Sequence, residues 1–263
     1  MKNMIICFLV EKRRIGNNMS KNIVLIMGGD GKIAQAVVKK YLTIEDTIVI
    51  AVDRNETNKD LTFNQNENYI YYSCNLTDIE QLSSLYKKIE EKYGYVNHII
   101  SMAGGPFPSE EKGLFEMTYD DVEKSIKLNI ISHIYITKMF IPLLRKCDSD
   151  NKSILYFSSV NALKSFNLPA YSAGKAGIIG FMNSIVRDIG KEKIRVNTIS
   201  PGTVATKEEV ALKEGFWGYN YRDMMALKTF TYPEDIANAC YSLTHVATAI
   251  TGQNIVVDSG QIV

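Results

Sequence analysis

The sequence predicts an α/β fold in a single domain, with a doubly wound parallel sheet covered by helices on both faces. From residue 21 onward, apolar runs rich in β-branched residues alternate with helix-length segments, as in parallel strands joined by crossover helices. These runs are continuous rather than alternating, which is typical of strands buried on both faces. With 263 residues, 46% of them hydrophobic, one large α/β domain with a sizeable core is expected.

Seven strands and five helices are predicted in chain order. The second helix has an Asp near its start and Gly94 at its end. Pro142 falls late in the third helix, where we expect it to kink or end the helix. Residues 201–232 are predicted to be irregular. The predicted strands are residues 22–27, 47–52, 69–73, 98–101, 153–158, 194–200 and 254–258, and the predicted helices are residues 32–42, 78–93, 120–146, 170–190 and 233–244.

Composition argues against several classes of function. The formal charge is +1, from 30 basic and 29 acidic residues, so nothing electrostatic favours a nucleic acid or an anionic membrane as partner. No apolar run approaches the roughly 20 residues of a membrane-spanning helix. The four cysteines are far apart and form neither a CxxC pair nor a Cys/His cluster of metal spacing. Disulfides and a bound metal are therefore not expected, and a cytoplasmic location is predicted.

Residues 1–20 form an N-terminal extension that precedes the predicted domain at residues 21–263. A short apolar run from Met4 to Val10 precedes the charged stretch EKRR, without the longer core and small-residue cleavage site of a signal peptide. We expect a disordered or dispensable extension, with Met19 as a candidate true start. The alternative is a weak membrane- or partner-binding tail.

A glycine loop follows the first predicted strand. Gly28, Gly31 and Ala34 have the spacing G-x-x-G-x-x-A, and Lys32 and Ile33 begin the next helix. Glycines let the backbone turn tightly and approach a pyrophosphate, which the positive helix N-terminus then faces. The two glycines with Lys32 and Ile33 are therefore predicted to bind a dinucleotide.

An acidic residue follows the second predicted strand. Asp53 lies about 20 residues after the loop, where a dinucleotide fold places a carboxylate on the adenosine ribose. That carboxylate would repel a 2′-phosphate, so NAD is the expected cofactor. Arg54 and Lys32 leave NADP possible, because a neighbouring cation can bind the phosphate. The alternative for Asp53 is an ordinary residue of a strand-end turn.

The stretch YSAGK places Tyr171 and Lys175 four residues apart, on one face of a predicted helix. A free phenol has a pKa of about 10 and is a poor base at neutral pH. A nearby ammonium lowers that pKa, so the pair could exchange a proton with an alcohol or carbonyl oxygen. Taken alone, the pair also fits a packed tyrosine and a snorkelling lysine.

Several stretches together resemble the short-chain dehydrogenase/reductase family in its common single-domain form. The resemblance covers nearly all of residues 21–263. It implies a Rossmann-type fold and an NAD(P)-dependent oxidoreductase that transfers a hydride between nicotinamide and a carbonyl or alcohol carbon. The matching stretches are the glycine loop, SSV before YSAGK, IRVNTISPGTVAT (194–206), YPEDIA (232–237) and ITGQNIVVDSG (250–260).

The resemblance also implies roles for four catalytic residues. Tyr171 corresponds to the acid/base, and Lys175 to the partner that lowers its pKa and binds the nicotinamide ribose. Ser159 resembles the serine that holds the substrate oxygen, although Ser158 fits the usual spacing to the tyrosine by count. Asn129 matches the helix asparagine that supports a water-linked proton route to the lysine.

Further cofactor contacts are implied in the same way. Asn75 and Leu76 correspond to the adenine-binding turn, with Asn75 where an aspartate is usual. The family's Asn-Asn-Ala-Gly reads Ser-Met-Ala-Gly here, so the asparagine side-chain bonds are missing while the small residues remain. The other implied cofactor contacts are Ala103, Gly104, Pro201, Gly202, Val204 and Thr206.

Two alternatives and the substrate stay open at this stage. A 3-oxoacyl-carrier-protein reductase would use NADPH and a basic patch, for which Arg145, Lys146 and Lys152 are scattered candidates. A non-catalytic dinucleotide sensor is the alternative from another class.

Segments 105–119 and 203–230 are expected to line the pocket for a small carbonyl or alcohol substrate. The resemblance implies a homo-oligomer, either a dimer or a tetramer. An aromatic cluster in the second segment fits a lid, core or subunit contact: Phe216, Trp217, Tyr219 and Tyr221.

Overall fold

A computed structural model describes residues 21–164, 166–206, 209–210 and 221–263, with Tyr221 described by its backbone alone. The strands are β1 (Asn22–Met27), β2 (Thr47–Asp53), β3 (Tyr69–Ser73), β4 (His98–Ser101), β5 (Lys152–Phe157), β6 (Ile194–Pro201) and β7 (Asn254–Val257). The helices of the described chain are α1 (Lys32–Tyr41), α2 (Ile79–Tyr93), α3 (Tyr119–Ile126), α4 (Ser132–Arg145), α5 (Pro169–Gly190) and α6 (Pro233–Tyr241).

All seven strands form one sheet in the order β3-β2-β1-β4-β5-β6-β7. Every neighbouring pair is parallel. The predicted doubly wound α/β fold is thus confirmed. The strand order reverses between β1 and β4, and in such sheets ligands bind at this switch point, beyond the carboxyl ends of the strands.

Apolar side chains fill both faces of the sheet. Neighbouring strand residues point to opposite faces, so Leu25 belongs to one apolar layer and Ile26 to the other. Phe140 packs in the first layer and Ile236 in the second, and all four side chains are fully buried. Burial on both faces is the reason that the strand sequences are continuously apolar. No helix in the described residues is long and apolar enough to cross a membrane.

The third predicted helix is divided in the structure. A π-helical turn, Lys127–Ile131, separates α3 from α4. Such turns leave the regular 3.6-residue period and are frequent at functional sites. Pro142 lies inside α4, which continues to Arg145. The last predicted helix likewise consists of α6 and a π-helical turn, Ser242–Val246.

The segment after β6 is irregular in its described parts, as predicted. Val204 forms an isolated bridge with Thr231, and a short 3-10 helix spans Tyr221–Met224. The aromatic cluster proposed as a lid, core or subunit contact lies outside the described residues, apart from the backbone of Tyr221.

Candidate active site

Many of the predicted site residues follow the carboxyl ends of strands, whereas Asn129, Tyr171 and Lys175 lie on helical segments. Because the sheet is parallel, the ends of β1, β2, β4, β5 and β6 lie along the same edge. The glycine loop, Asp53, Ala103, Ser159 and Pro201 each follow or end one of these strands. The sheet therefore gathers residues that are far apart in sequence, such as Gly28 and Pro201, on one side of the molecule.

The glycine loop leaves room for a phosphate group at the N-terminus of α1. Gly28 has φ +92°, and a Cβ there would lie 2.6 Å from the backbone N of Ala103. Gly31 is the N-cap residue, with no side-chain cap and no acidic residue in the first turn of the helix. A Cβ on Gly31 would meet nothing within 4 Å. Uncapped N–H groups facing open space fit a dinucleotide diphosphate.

The predicted ribose acid is tied to the glycine loop. Asp53 accepts hydrogen bonds from the backbone N of Asp30 at 3.1 Å and of Arg54 at 2.7 Å. Sequence analysis missed Asp30, a buried carboxylate within the loop that accepts from the backbone N of Lys59 at 2.8 Å. The sequence signal that could have indicated Asp30 is its position between Gly29 and Gly31 in the glycine loop. Lys32, considered as a phosphate ligand, instead forms a 2.7 Å ion pair with Glu209.

The remaining predicted cofactor contacts surround the same edge. Leu76 is buried, whereas Asn75 is exposed and its side-chain oxygen already accepts from the backbone N of Thr77 at 3.1 Å. Gly202 donates to the carbonyl of Val257 at 3.0 Å. Thr206 and Glu209 exchange reciprocal hydrogen bonds, so the segment after β6 is capped locally. Ile33 is half-buried against the apolar layer that packs on α1.

His133 lies between two residues of the chain segment that ends β4 and follows it. One ring nitrogen lies 2.7 Å from the hydroxyl of Ser101, and the other 2.9 Å from the carbonyl oxygen of Ala103. Burial lowers the pKa of His133 to about 3, so the neutral ring accepts from the serine and donates to the carbonyl. These contacts give His133 a structural role at the end of β4.

Lys175 lies buried between two strand ends. Its ammonium donates to the carbonyl oxygen of Phe157 at 2.9 Å and lies 3.5 Å from that of Ala103. Lys175 is only 3% exposed. Burial lowers its pKa to about 7. The Nζ atom lies 5.7 Å from the ring centroid of Tyr171. The helical spacing therefore brings the two side chains together as predicted.

The two serines after β5 point in different directions. Ser158 donates to the backbone carbonyl of Lys175 at 2.8 Å and is buried. Ser159 makes a side-chain hydrogen bond with Tyr171 and also accepts from the backbone N of Asn161 at 3.2 Å. The structure thus places Ser159, rather than Ser158, beside the phenol.

The surroundings of the phenol bear on the effect expected of Lys175. Burial raises the pKa of Tyr171, the hydrogen bond with Ser159 lowers it, and the negative charge of Glu110 raises it again. The net direction is upward because burial disfavours the phenolate. The lowering of this pKa by Lys175 stays a prediction.

Asn129 lies within the π-helical turn and is fully buried. Its side-chain oxygen accepts from the backbone N of Gly105 at 3.0 Å, and its amide donates to the carbonyl of Ser125 at 3.0 Å. A Cβ on Gly104 would lie 2.5 Å from that side-chain oxygen and 2.8 Å from the Nζ of Lys175. The asparagine and the lysine therefore share one small buried space, which Gly104 keeps open.

An open pocket of about 490 Å³ lies between the loop after β5 and the start of α5, and neither Ser159 nor Tyr171 lines it. Asn161, which also accepts from the Ser159 hydroxyl at 3.2 Å, lines it. Ser172, the residue after Tyr171, lines it from the helix. Apolar Leu114 and Leu163 also line it. Residues from both the 105–119 segment and the loop after β5 therefore contribute to this pocket.

Comparisons with known proteins agree with this geometry. The family model described as enoyl-(acyl carrier protein) reductase matches residues 31–261. Carbonyl reductase family member 4 of Xenopus laevis is 27% identical over 92% of this chain and 98% of its own length. The 3-oxoacyl-[acyl-carrier-protein] reductase of Thermotoga maritima is also 27% identical, with 92% and 98% covered. A crystal structure of a short-chain oxidoreductase from Burkholderia thailandensis superposes with a TM-score of 0.80, 25% identity, and 93% and 94% coverage.

The Rossmann-type sheet, the open glycine loop and the serine, tyrosine and lysine at the end of β5 define a dinucleotide-dependent oxidoreductase. The chain belongs to the short-chain dehydrogenase/reductase family. Members of this family are NAD(P)-dependent enzymes that act on carbonyl or hydroxyl groups.

Proposed function

We propose that this enzyme interconverts a carbonyl and an alcohol on a small molecule, with Tyr171 as the acid/base. The observation that carries the proposal is the meeting of Tyr171, Ser159 and Lys175 beside the carboxyl end of β5. The dinucleotide would supply or accept the hydride. The protein's part is to hold the substrate oxygen and to move its proton.

Each of the three side chains has a distinct proposed task. Ser159 donates a hydrogen bond to the substrate oxygen, which shares the charge that develops in the transition state. Tyr171 gives its proton to that oxygen during reduction and recovers it during oxidation. Lys175 binds the nicotinamide ribose and, with Asn129, connects the phenol to the buried space next to Gly104. The diphosphate is proposed to lie on the uncapped N-terminus of α1.

NAD rather than NADP is the proposed cofactor. Asp53 stands at the end of β2, and its carboxylate is held beside the glycine loop by the backbone N of Asp30. A negative charge there opposes a 2′-phosphate. Lys32 is already paired with Glu209, which weakens its case as a phosphate ligand.

Titration of the full chain with NADH and with NADPH, followed by nicotinamide fluorescence, tests both the proposal and the cofactor. We expect NADH to bind about tenfold more tightly, a difference of about 1.4 kcal/mol. Asp53→Asn should reduce that preference because the carboxylate charge is lost, while Glu56→Gln, which removes an exposed charge nearby, should not. Tighter binding of NADPH by the wild type would overturn the choice of NAD. Binding of neither would overturn the glycine-loop assignment and favour a protein without this activity.

The acyl-carrier alternative finds no added support in the described surface. Its candidate basic patch is largely neutralised, because Arg145 pairs with Glu192 and Lys146 pairs with Glu90, each at 2.5 Å. Paired side chains offer little net charge to an acidic carrier protein. A small carbonyl compound therefore remains the proposed substrate class, and a panel of ketones and aldehydes with NADH is the screen that would define it.

We also propose that the enzyme is a cytoplasmic homo-oligomer, a dimer or a tetramer. Support comes from the sheet edge, where β7 exposes Val256 and the chain end exposes Val263. An edge strand with exposed apolar side chains is commonly covered by another copy. Light scattering of the purified protein should give a mass of two or four chains, and a monomer at micromolar concentration would contradict the proposal.

A further inference from the structure

Glu110 is a fully buried carboxylate that neither the sequence motifs nor the proposed chemistry uses. It lies in a short 3-10 helix, Pro108–Lys112, in the loop that follows β4. One carboxylate oxygen accepts from the backbone N of Tyr171 at 2.7 Å. The other accepts from the hydroxyl of Ser125 at 2.7 Å and from the backbone N of Phe107 at 3.4 Å. An ionised carboxylate accepts only, and the three donors suit that form.

The start of α5 lacks a local cap, which explains why an acid from another segment is needed. The N-cap residue, Leu168, has φ +60° and offers no side-chain acceptor, and Pro169 has no N–H. The N–H of Ser172 is satisfied by the carbonyl of Leu168 at 2.8 Å. The N–H of Tyr171 would remain unpaired without Glu110. The positive end of the helix dipole also favours a carboxylate at this place.

The Glu110 carboxylate is also linked, through Ser125, to Asn129 in the π-helical turn. The hydroxyl that donates to Glu110 belongs to Ser125, whose carbonyl and hydroxyl accept from the amide of Asn129 at 3.0 and 3.3 Å. Asn129 in turn holds Gly105, in the loop that carries Glu110. A closed set of hydrogen bonds therefore ties the helix of the phenol, the π-helical turn and the loop beside the pocket.

We propose that Glu110 is a positioning residue: it caps α5 at Tyr171 and thereby fixes the phenol beside Ser159. The inference rests on the proposed acid/base role of Tyr171. The groups that influence the phenol are the Ser159 hydroxyl, the Glu110 carboxylate, which contacts the backbone N of Tyr171, and Lys175, whose Nζ lies over the ring. A nearby negative charge disfavours the phenolate. Removing the charge of Glu110 is therefore expected to lower the pKa of Tyr171 as well.

The charge effect is tested by NMR titration of the full chain carrying tyrosine labelled with ¹³C at Cζ. The resonance that is absent from Tyr171→Phe identifies the phenol. Glu110→Gln keeps an oxygen for the Tyr171 N–H but removes the charge, so the pKa of Tyr171 should fall by roughly one unit. Glu111→Gln, an exposed neighbour, should leave it unchanged. An unchanged pKa of Tyr171 in Glu110→Gln would overturn the charge role.

The capping effect is tested by hydrogen exchange at the Tyr171 amide. Exchange should be faster in Glu110→Ala than in the wild type, and Glu110→Gln should restore most of the protection. Equal protection in Glu110→Ala would overturn the cap.

With a substrate from the carbonyl screen, Glu110→Ala should lower kcat by about tenfold while NADH affinity stays unchanged. The NMR and exchange measurements do not require an active enzyme. If the wild type showed no turnover, the proposed function would be refuted, but these two measurements would still test whether Glu110 caps α5.

Discussion

Tyr171→Phe should lower kcat by roughly 10³-fold, the scale of one lost general acid, while NADH affinity stays within about twofold of the wild type. The substitution removes one oxygen and leaves the ring in place. The backbone N–H of Tyr171 still donates to Glu110, and Lys175 keeps its bonds to Phe157 and Ala103. The helix start and the proposed ribose contact should therefore survive, and the loss should fall on the proton transfer alone.

Tyr156→Phe is the matched control for the loss of a buried phenol. Tyr156 lies on β5, is fully buried and shares a 2.6 Å hydrogen bond with Thr137, away from the pocket. Its removal should cost about 1 kcal/mol of unfolding free energy and leave kcat unchanged. Steady-state kinetics, NADH titration and urea unfolding on both variants separate the effects. Turnover at the wild-type rate in Tyr171→Phe would exclude this residue as the acid/base.

The fold was predictable because its signals are local. Buried parallel strands are apolar along their whole length, and α2 carries its own start and stop signals in Asp78 and Gly94, which cap the helix in the structure. The π-helical turn around Asn129 was not predictable from periodicity, because one inserted residue changes the local register without changing the apolar composition.

The site was predictable only in the parts that have a fixed spacing. Tyr171 and Lys175 share a helix face by geometry, and the structure confirms their proximity. The direction of the Tyr171 pKa was not accessible, since it depends on burial and on Glu110, which is 61 positions away in sequence. No local pattern marks such a contact. A carboxylate within an ordinary loop carries no motif, so only the fold brings it to the helix start.

The choice between the two serines shows how one residue of spacing becomes a chemical difference. Motif context favoured Ser159 and counting favoured Ser158, and the sequence offered no further evidence. Successive residues of an extended chain point to opposite sides. In the structure, Ser158 donates back to the carbonyl of Lys175, whereas Ser159 meets the phenol. Sequence spacing cannot separate these two directions, because either residue ends the same strand.

Ser159→Ala should lower kcat by roughly 10²-fold, as expected when one donor to the developing oxyanion is lost. The pKa of Tyr171 should also rise, because the hydrogen bond that lowers it disappears. Folding should change little, since the Ser159 side chain bonds only within its own turn and to the phenol. The measurements are kcat with a substrate from the carbonyl screen and the ¹³C titration of Tyr171.

Ser158→Ala is the matched control, because it should lower stability and leave kcat nearly unchanged. Its hydroxyl satisfies a buried helix carbonyl at 2.8 Å, so the loss should cost about 1 kcal/mol of stability. It should leave kcat within a few-fold of the wild type and the pKa of Tyr171 in place. A larger loss of kcat in Ser158→Ala than in Ser159→Ala would show that the count-based assignment is right and that the hydroxyl now bonded to Lys175 turns toward the substrate. Each variant replaces one hydroxyl by a hydrogen, at adjacent positions, so the comparison isolates the direction in which each hydroxyl points.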